Sequence, residues 1–298
     1  MSLVIVASVA LDSIKTPFGK VDKVLGGSVM YASMSSKNFC HTKVVGVVGD
    51  DFPEAHLELL KENRIDTEGL KIVNGKTFHW KGRYNDFNRA ETLETQLNVF
   101  ADFNPELPES YRKSRFIFLG NIDPTLQLQV LKQMEAPEIV ACDTMNFWIS
   151  GKKKELLEVI KRVNILLINE DEIRMLTNEK NILQAAEMIR KLGPEFVIVK
   201  RGEYGSLIYG KDFLFFAPIF PVKNVIDPTG AGDSFAGGFM GYITVKGNLE
   251  EHTIRQAMVY GTVMASFDVE SFSLEKLKKV DFDQIDARKE KIRESVIF

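Results

Sequence analysis

The chain has 298 residues, 45% of them hydrophobic and 27% charged, with a formal net charge of −3. That is ordinary globular composition, long enough for one large α/β domain or two small ones. The slight acidic surplus argues against a nucleic-acid partner.

The first apolar run, residues 3–10, is rich in Val and Ile and reads as a buried strand. It is too short to span a membrane and no basic segment precedes it, so no membrane partner is expected. Residues 13–25 are short and mixed, and read as strands outside the main sheet. Residues 43–48 form the next buried strand, followed by a helical pattern over 53–63. Asp50 and Asp51 read as a cap ahead of Pro53. The segment 69–77 has two glycines ahead of Lys76-Thr77, but their spacing misses that of a phosphate-binding loop, and it reads as a turn. Residues 76–100 are polar and aromatic, with Trp80, Phe87 and Phe100 as candidate covers for a substrate ring. Together 13–25 and 76–100 suggest a small lid, because long structureless loops are uncommon in compact domains.

Apolar strands then recur at 116–119, 139–142, 165–168 and 196–199, separated by helical patterns at 124–134, 153–162 and 183–192. Continuous apolar strands alternating with helices predict a mostly parallel sheet covered on both faces. Residues 210–225 read as short antiparallel strands around Pro218 and Pro221. Two helices follow over 230–245 and 251–267, then a charged helical tail over 274–294. Cys40 and Cys142 lie in or beside apolar runs and read as buried free thiols of a cytoplasmic protein. His41, His56, His79 and His252 are scattered, which does not suit a zinc site.

The densest chemistry lies in Asp227-Pro-Thr-Gly-Ala-Gly-Asp233, an apolar strand-like approach opening onto a helix. Gly230, Ala231 and Gly232 permit close backbone approach, and the first N–H groups of a helix lack internal partners. Such a turn can hold phosphate oxygens, with the helix dipole adding to it. Asp233, in the first turn, is placed to take a proton from an attacking hydroxyl. The competing reading is a plain helix start capped by Thr229. Ser234 lacks the spacing of a nucleophile elbow.

This segment resembles the C-terminal signature of the ribokinase family, the PfkB-type carbohydrate kinases. The resemblance implies a Rossmann-like, doubly wound α/β fold, ribokinase-like, with a small β-sheet lid, here one domain over 1–298. Further matches fall in the family's order. Gly26-Gly27 is similar to the family's glycine pair at the sugar site, and Asp12, at the end of the first strand, to a substrate-hydroxyl ligand. Tyr31 stands near where an Asn is usual. Val48-Gly49-Asp50-Asp51 looks like a family stretch after the next strand. Asn169-Glu-Asp-Glu172 matches an Asn-x-x-Glu motif near Mg²⁺ and the ATP phosphates. Lys200-Arg-Gly202-Glu-Tyr-Gly205 resembles a segment beside the nucleotide, with Thr229 adjoining it. Asp143 to Trp148 lies where some members carry a phosphate-handling Arg, and no Arg occurs there.

The function implied is ATP-dependent phosphorylation of a primary hydroxyl on a small sugar-like molecule. Asp233 is the expected base and Gly230–Gly232 the anion hole. The cofactors implied are ATP and Mg²⁺, with Glu172 a candidate Mg²⁺ ligand through water. Asp227 is a candidate for a monovalent cation or an Asx turn. The rivals are a nucleoside kinase, with Tyr31 and the lid aromatics stacking on a base, a non-catalytic ligand sensor, and an unrelated nucleotide hydrolase. Exposed lid strands offer edges for a homodimer.

Overall fold

The computed structural model describes residues 1–86 and 89–297, apart from the side chain of residue 89; Phe87 lies outside the described residues. The chain begins with β1 (Ser2–Val6), β2 (Ala10–Thr16), β3 (Gly19–Gly26), α1 (Ser28–Ser36), β4 (His41–Gly49) and α2 (Glu54–Glu62). It continues through β5 (Asp66–Val73), β6 (His79–Asp86), β7 (Arg89–Gln96), α3 (Glu109–Arg112), β8 (Phe116–Leu119) and α4 (Pro124–Gln133). Next come β9 (Ile139–Cys142), α5 (Asn146–Gly151), α6 (Lys153–Ile160), β10 (Ile165–Asn169), α7 (Glu170–Thr177) and α8 (Ile182–Arg190). The last elements are β11 (Phe196–Lys200), β12 (Ser206–Gly210), β13 (Phe213–Ala217), α9 (Ala231–Lys246), α10 (Glu251–Asp268) and α11 (Phe282–Val296).

A 9-stranded sheet runs in the order β13-β12-β11-β10-β9-β8-β1-β4-β5. Neighbours from β5 to β11 are parallel, and β12 and β13 close one side as antiparallel strands. Strands β8 and β9 are buried along their whole length, as parallel strands covered by helices on both faces require. Their carboxyl ends, with those of β10 and β11, bring Asp143, Asn169 and Lys200 to one edge. That edge is where open α/β sheets place their ligands.

A separate 4-stranded sheet, β3-β2-β6-β7, forms the lid. It draws on both segments expected outside the main sheet, beginning earlier, at Ala10. Asp12 therefore sits within a lid strand, not at the end of the first main-sheet strand. The segment 69–77 is also corrected: Gly69 to Val73 belong to β5, paired parallel to β4 at the sheet edge. One half of an edge strand faces water, so its Lys and Glu residues hid the strand pattern. Residues 218–225 form no strand, because Pro218 and Pro221 withhold ladder donors. The tail helix starts at Phe282, where Asp281 and Gln284 form a capping box.

Asp51 does not cap α2. Its carboxylate accepts the Thr77 backbone N–H and hydroxyl, both at 2.7 Å. The Thr77 hydroxyl oxygen accepts from the Gly49 N–H at 3.0 Å, tying the end of β4 to the entry of the lid. No helix among the described residues is long and apolar enough to cross a membrane.

Helix α9 packs against α1 and α10. Gly27 caps α1 with φ 88°, a left-handed backbone that favours glycine. A Cβ there would lie 2.6 Å from the Ser8 carbonyl oxygen and 2.7 Å from the Ala10 nitrogen. Gly27→Ala is expected to lower stability by at least roughly 1–3 kcal/mol from backbone strain alone. The urea midpoint, read by circular dichroism, checks this.

Candidate active site

Helix α9 opens on Gly230, left-handed at φ 87°, with no side-chain cap. The residues available to cap it are engaged elsewhere. The Thr229 hydroxyl donates to the Tyr84 hydroxyl oxygen of lid strand β6 at 3.2 Å, and the Thr229 N–H donates to Asp227 Oδ1 at 2.9 Å. The capped-helix reading of this segment is thereby removed. The Ala231 N–H donates back to the Pro228 carbonyl at 3.2 Å, while the Gly232 and Asp233 N–H groups have no acceptor among the described residues. A Cβ on Gly230 would lie 2.3 Å from the Tyr31 ring, and one on Gly232 would lie 3.2 Å from Lys200 Nζ. The turn is therefore walled by an aromatic ring on one side and an ammonium on the other.

Asp233 follows in the first turn of the helix. Burial pushes its carboxyl up to about 6; Asp143 adds to the rise, while Lys200 and the Ser28 hydroxyl oppose it. Lys200 Nζ donates to Asp143 Oδ2 at 2.6 Å. Burial pulls the Lys200 ammonium down, but Asp143, Glu172 and Asp233 outweigh that and raise its pKa. Sequence reasoning named Asp143 only as the start of the stretch that lacks an Arg and gave it no role. Its signal was an acidic residue directly following an apolar strand that ends at the ligand edge.

On the lid side, Asp12 is buried, with its carboxylate where a side chain on Gly26 would stand, 1.9 Å from Oδ2. Burial pushes Asp12 up to about 7; the Gly27 N–H opposes this, and Asp227 and Asp233 add to it. Tyr31 does not present an open face for stacking. It is 1% exposed, its ring lies against Gly230, and its hydroxyl is buried without a partner. Of the two described lid candidates, Trp80 and Phe100, Trp80 is the one not stacked on another ring. It pairs in register with Asp12, on the same face as Gly82 and Tyr84, and it is half-buried. Its indole lies over Gly82, where a Cβ would come within 2.0 Å of the ring. Its Nε1–H donates to the Thr92 hydroxyl at 3.2 Å. Phe100 stacks instead between Phe78 and Phe103.

Asn169 and Glu172 form a capping box at the start of α7. Asn169 Oδ1 accepts the Glu172 N–H at 2.8 Å, and Glu172 Oε2 accepts the Asn169 N–H at 2.9 Å. Burial pushes Glu172 up to about 7, opposed by Lys200 and assisted by Asp143. Gly202 and Gly205 turn the chain from β11 to β12, where a Cβ on Gly205 would lie 2.3 Å from the Ala217 carbonyl oxygen. Behind the glycine turn, Asp227 Oδ2 and both oxygens of Asp268 are buried without hydrogen-bond partners among the described residues. Burial raises both carboxyls, and Asp227 and Asp233 raise Asp268 further; Thr229 and the Ser273 N–H oppose the rise at Asp227, and the nearby Ser234 hydroxyl opposes it at Asp268. Orphaned buried carboxylate oxygens suit a cation. Asp268 lay just past the helix expected over 251–267 and gave no motif.

An uncapped helix start at the carboxyl edge of a parallel sheet, facing a β lid, defines a ribokinase-like phosphotransferase. The pfkB family carbohydrate kinase sequence model matches residues 20–276, and the chain belongs to that family. It is an enzyme that transfers a phosphoryl group to an alcohol. It is 29% identical over 246 residues to the cytidine kinase of Thermococcus kodakarensis, covering 80% of this chain and 87% of that one. It is also 29% identical over 264 residues to the nucleoside kinase of Methanocaldococcus jannaschii, covering 87% and 83%. The crystal structure described as a nucleoside kinase of M. jannaschii superposes with TM-score 0.78 at 24% identity, covering 97% of this chain and 98% of that one. An E. coli structure solved with ATP and Mg²⁺ gives TM-score 0.79 at 15% identity, covering 97% and 99%.

Asp12, Asp233 and Glu172 have folded pKa values near 6 to 7, above their unfolded values. A raised carboxyl favours folding fully below its unfolded pKa and loses that contribution as pH rises through the folded pKa. Without Mg²⁺ or monovalent cations, the melting temperature is expected to be higher at pH 6 than at pH 8 on account of these groups. Asp268→Asn, which cannot ionise, is expected to stabilise the protein at pH 8 by on the order of 1–3 kcal/mol. Differential scanning calorimetry across pH checks both.

Proposed function

We propose that this kinase transfers the γ-phosphoryl group of ATP to the primary hydroxyl of a nucleoside, in preference to a bare sugar. The observation that carries the reading is Trp80, spread over Gly82 on the site-facing side of the lid, one strand from Asp12. A carboxylate that binds sugar hydroxyls thus stands beside a flat aromatic surface. A nucleoside would satisfy both, whereas a bare sugar would leave the indole uncovered. The likeness to cytidine and nucleoside kinases supports the same choice.

In this reading Asp12 accepts hydrogen bonds from sugar hydroxyls, and the backbone at Gly26 and Gly27 lines the same pocket. Tyr31 contributes as the wall behind Gly230. The acceptor oxygen forms a bond to the γ-phosphorus as the bond to the β–γ bridging oxygen breaks. Its proton passes to Asp233, and ADP leaves with the electron pair. A carboxylate suffices as base because the proton departs late in a loose phosphoryl-transfer transition state. The N–H groups of the Gly230, Ala231 and Gly232 turn hold the transferring oxygens. Asn169, Lys200, Thr229, Gly202 and Gly205 line the donor side. Glu172 would hold Mg²⁺ through water, and the bound ion would neutralise phosphate charge. Asp227 and Asp268 would hold a monovalent cation behind the turn. The lid closes over the acceptor and excludes water. Its outer strands β3 and β7 offer edges for pairing in a homodimer.

Asp233→Asn is expected to reduce kcat by roughly 10³-fold or more while leaving the ATP dissociation constant within a few-fold. Radiolabelled phosphate transfer and calorimetric titration read the two effects, and an unchanged kcat would refute the role. Because the base must be ionised, kcat/KM should fall with acidification through about pH 6. Trp80→Ala is expected to raise KM for the nucleoside roughly 10-fold or more, with Trp80→Phe restoring most of it. A sugar that is phosphorylated as efficiently as any nucleoside, with no effect of Trp80→Ala, would overturn the nucleoside assignment.

A further inference from the structure

Asp143 and Lys200 end strands that do not touch. Strand β10 lies between β9 and β11, so the pair, 57 residues apart in sequence, arches over the carboxyl end of β10. Both side chains are largely removed from water, at 5% and 18% exposure. A buried ion pair of this kind is weak support for a fold, since apolar replacements are often as stable. Its placement gives it another use. Asp143 is itself fixed, because its Oδ1 accepts the Thr144 N–H at 2.8 Å while its backbone N–H donates to the Leu119 carbonyl at 2.9 Å. An ammonium carries three donors on a flexible stem. Asp143 takes one of them, and Lys200 Nζ then stands against Gly232 at the opening of α9.

We propose that Asp143 is a positioning residue that holds the Lys200 ammonium at the glycine turn, where it meets the transferring phosphoryl group. The proposal rests on Asp233 and the glycine turn as the site of transfer. As the bond from the γ-phosphorus to the bridging oxygen breaks and the bond to the acceptor oxygen forms, negative charge spreads over the equatorial oxygens. The two remaining Lys200 donors face that charge. Asp143 also keeps the ammonium from collapsing onto Asp233 and pairing with the base. The charged and polar groups facing Asp233 are Asp143 from the end of β9, Lys200 from β11, Ser28 from α1, Asp12 from β2 and Asp268 from α10.

The test compares Lys200→Met, Asp143→Asn and the double variant Lys200→Met/Asp143→Leu in the full-length protein. Lys200→Met is expected to lower kcat roughly 100-fold and Asp143→Asn roughly 10-fold, with KM for the acceptor changed only a few-fold. The acid limb of kcat/KM should move in opposite directions: up in Lys200→Met, which loses a cation beside Asp233, and down in Asp143→Asn, which loses an anion. A general loss of structure would leave that limb in place. The double variant removes both buried charges and should melt no lower than the native protein, yet be as impaired as Lys200→Met. Wild-type kcat and an unmoved acid limb in Asp143→Asn, or wild-type turnover in the double variant, overturns the proposal. A second readout needs no acceptor. Aluminium fluoride, a mimic of the transferring group, should tighten ADP retention in the native protein and not in Lys200→Met or Asp143→Asn; equal tightening in all three overturns the proposal. Native protein that phosphorylates no nucleoside but traps ADP in this way would refute the nucleoside reading alone.

Discussion

A helix that starts without a side-chain cap leaves backbone donors unpaired, and α9 is arranged to keep them so. Thr229 directs its hydroxyl to Tyr84, and Asp227 directs one oxygen to the Thr229 N–H. Gly230 takes a left-handed conformation that only a residue without a Cβ could hold against the Tyr31 ring. Each of these contacts turns a capping group away from the helix end. What remains is a positive pole whose open donors are the Gly232 and Asp233 N–H groups, the Ala231 N–H being held by the Pro228 carbonyl, and an anion satisfies such a pole. The sheet edge, α1 and the lid all converge on that pole, so the rest of the site is described by its distance from it.

Around this pole the fold gathers carboxylates in excess of cations. Burial raises Asp12, Asp227, Asp233 and Asp268; Asp227 and Asp233 raise Asp12 and Asp268 further, and Asp143 raises Asp233. For folding alone the arrangement is unfavourable, since each group must give up either its charge or its water. For proton transfer the same repulsion is useful, because it brings a carboxyl toward neutrality, where a general base works best. Lys200 sets the limit on that rise. Held by Asp143, it opposes the rise at Asp233, the proposed base. Stability and catalysis are thus opposed at the same residues, and a bound cation would relieve the conflict.

The elements that could be read from the residues in order are those whose signal is local. Strands β8 and β9 were legible to the residue because a strand buried on both faces is apolar throughout. The Asp227–Asp233 segment was legible because its glycines, its acid and the helix it opens are contiguous. Strand β5 was lost because an edge strand alternates with solvent-facing Lys and Glu. Asp12 was placed one element too early because a short bend at residues 7–9 separates β1 from the lid strand β2. Tyr31 was read as an open aromatic because nothing in its neighbours in sequence shows that Gly230, far along the chain, would lie on its ring.

This division explains why the chemistry of the site was plainer than its selectivity. Phosphoryl transfer needs one uncapped helix start and one acid, and both fit within a single stretch of chain. Selectivity depends on which side chains face each other across strands. Trp80 acquires an open face because Gly82, two residues on, has no side chain to lift the indole away, and it gains meaning only beside Asp12 on the neighbouring strand. Asp143 and Lys200 likewise mean little apart and form one unit only because the strand order sets β9 and β11 on either side of β10. Such pairings depend on register, and a shift of one residue in β6 would turn Trp80 to the outer face of the lid while leaving every motif intact. In the proposed reading, the lid register therefore weighs more on the choice of alcohol than any residue at the glycine turn.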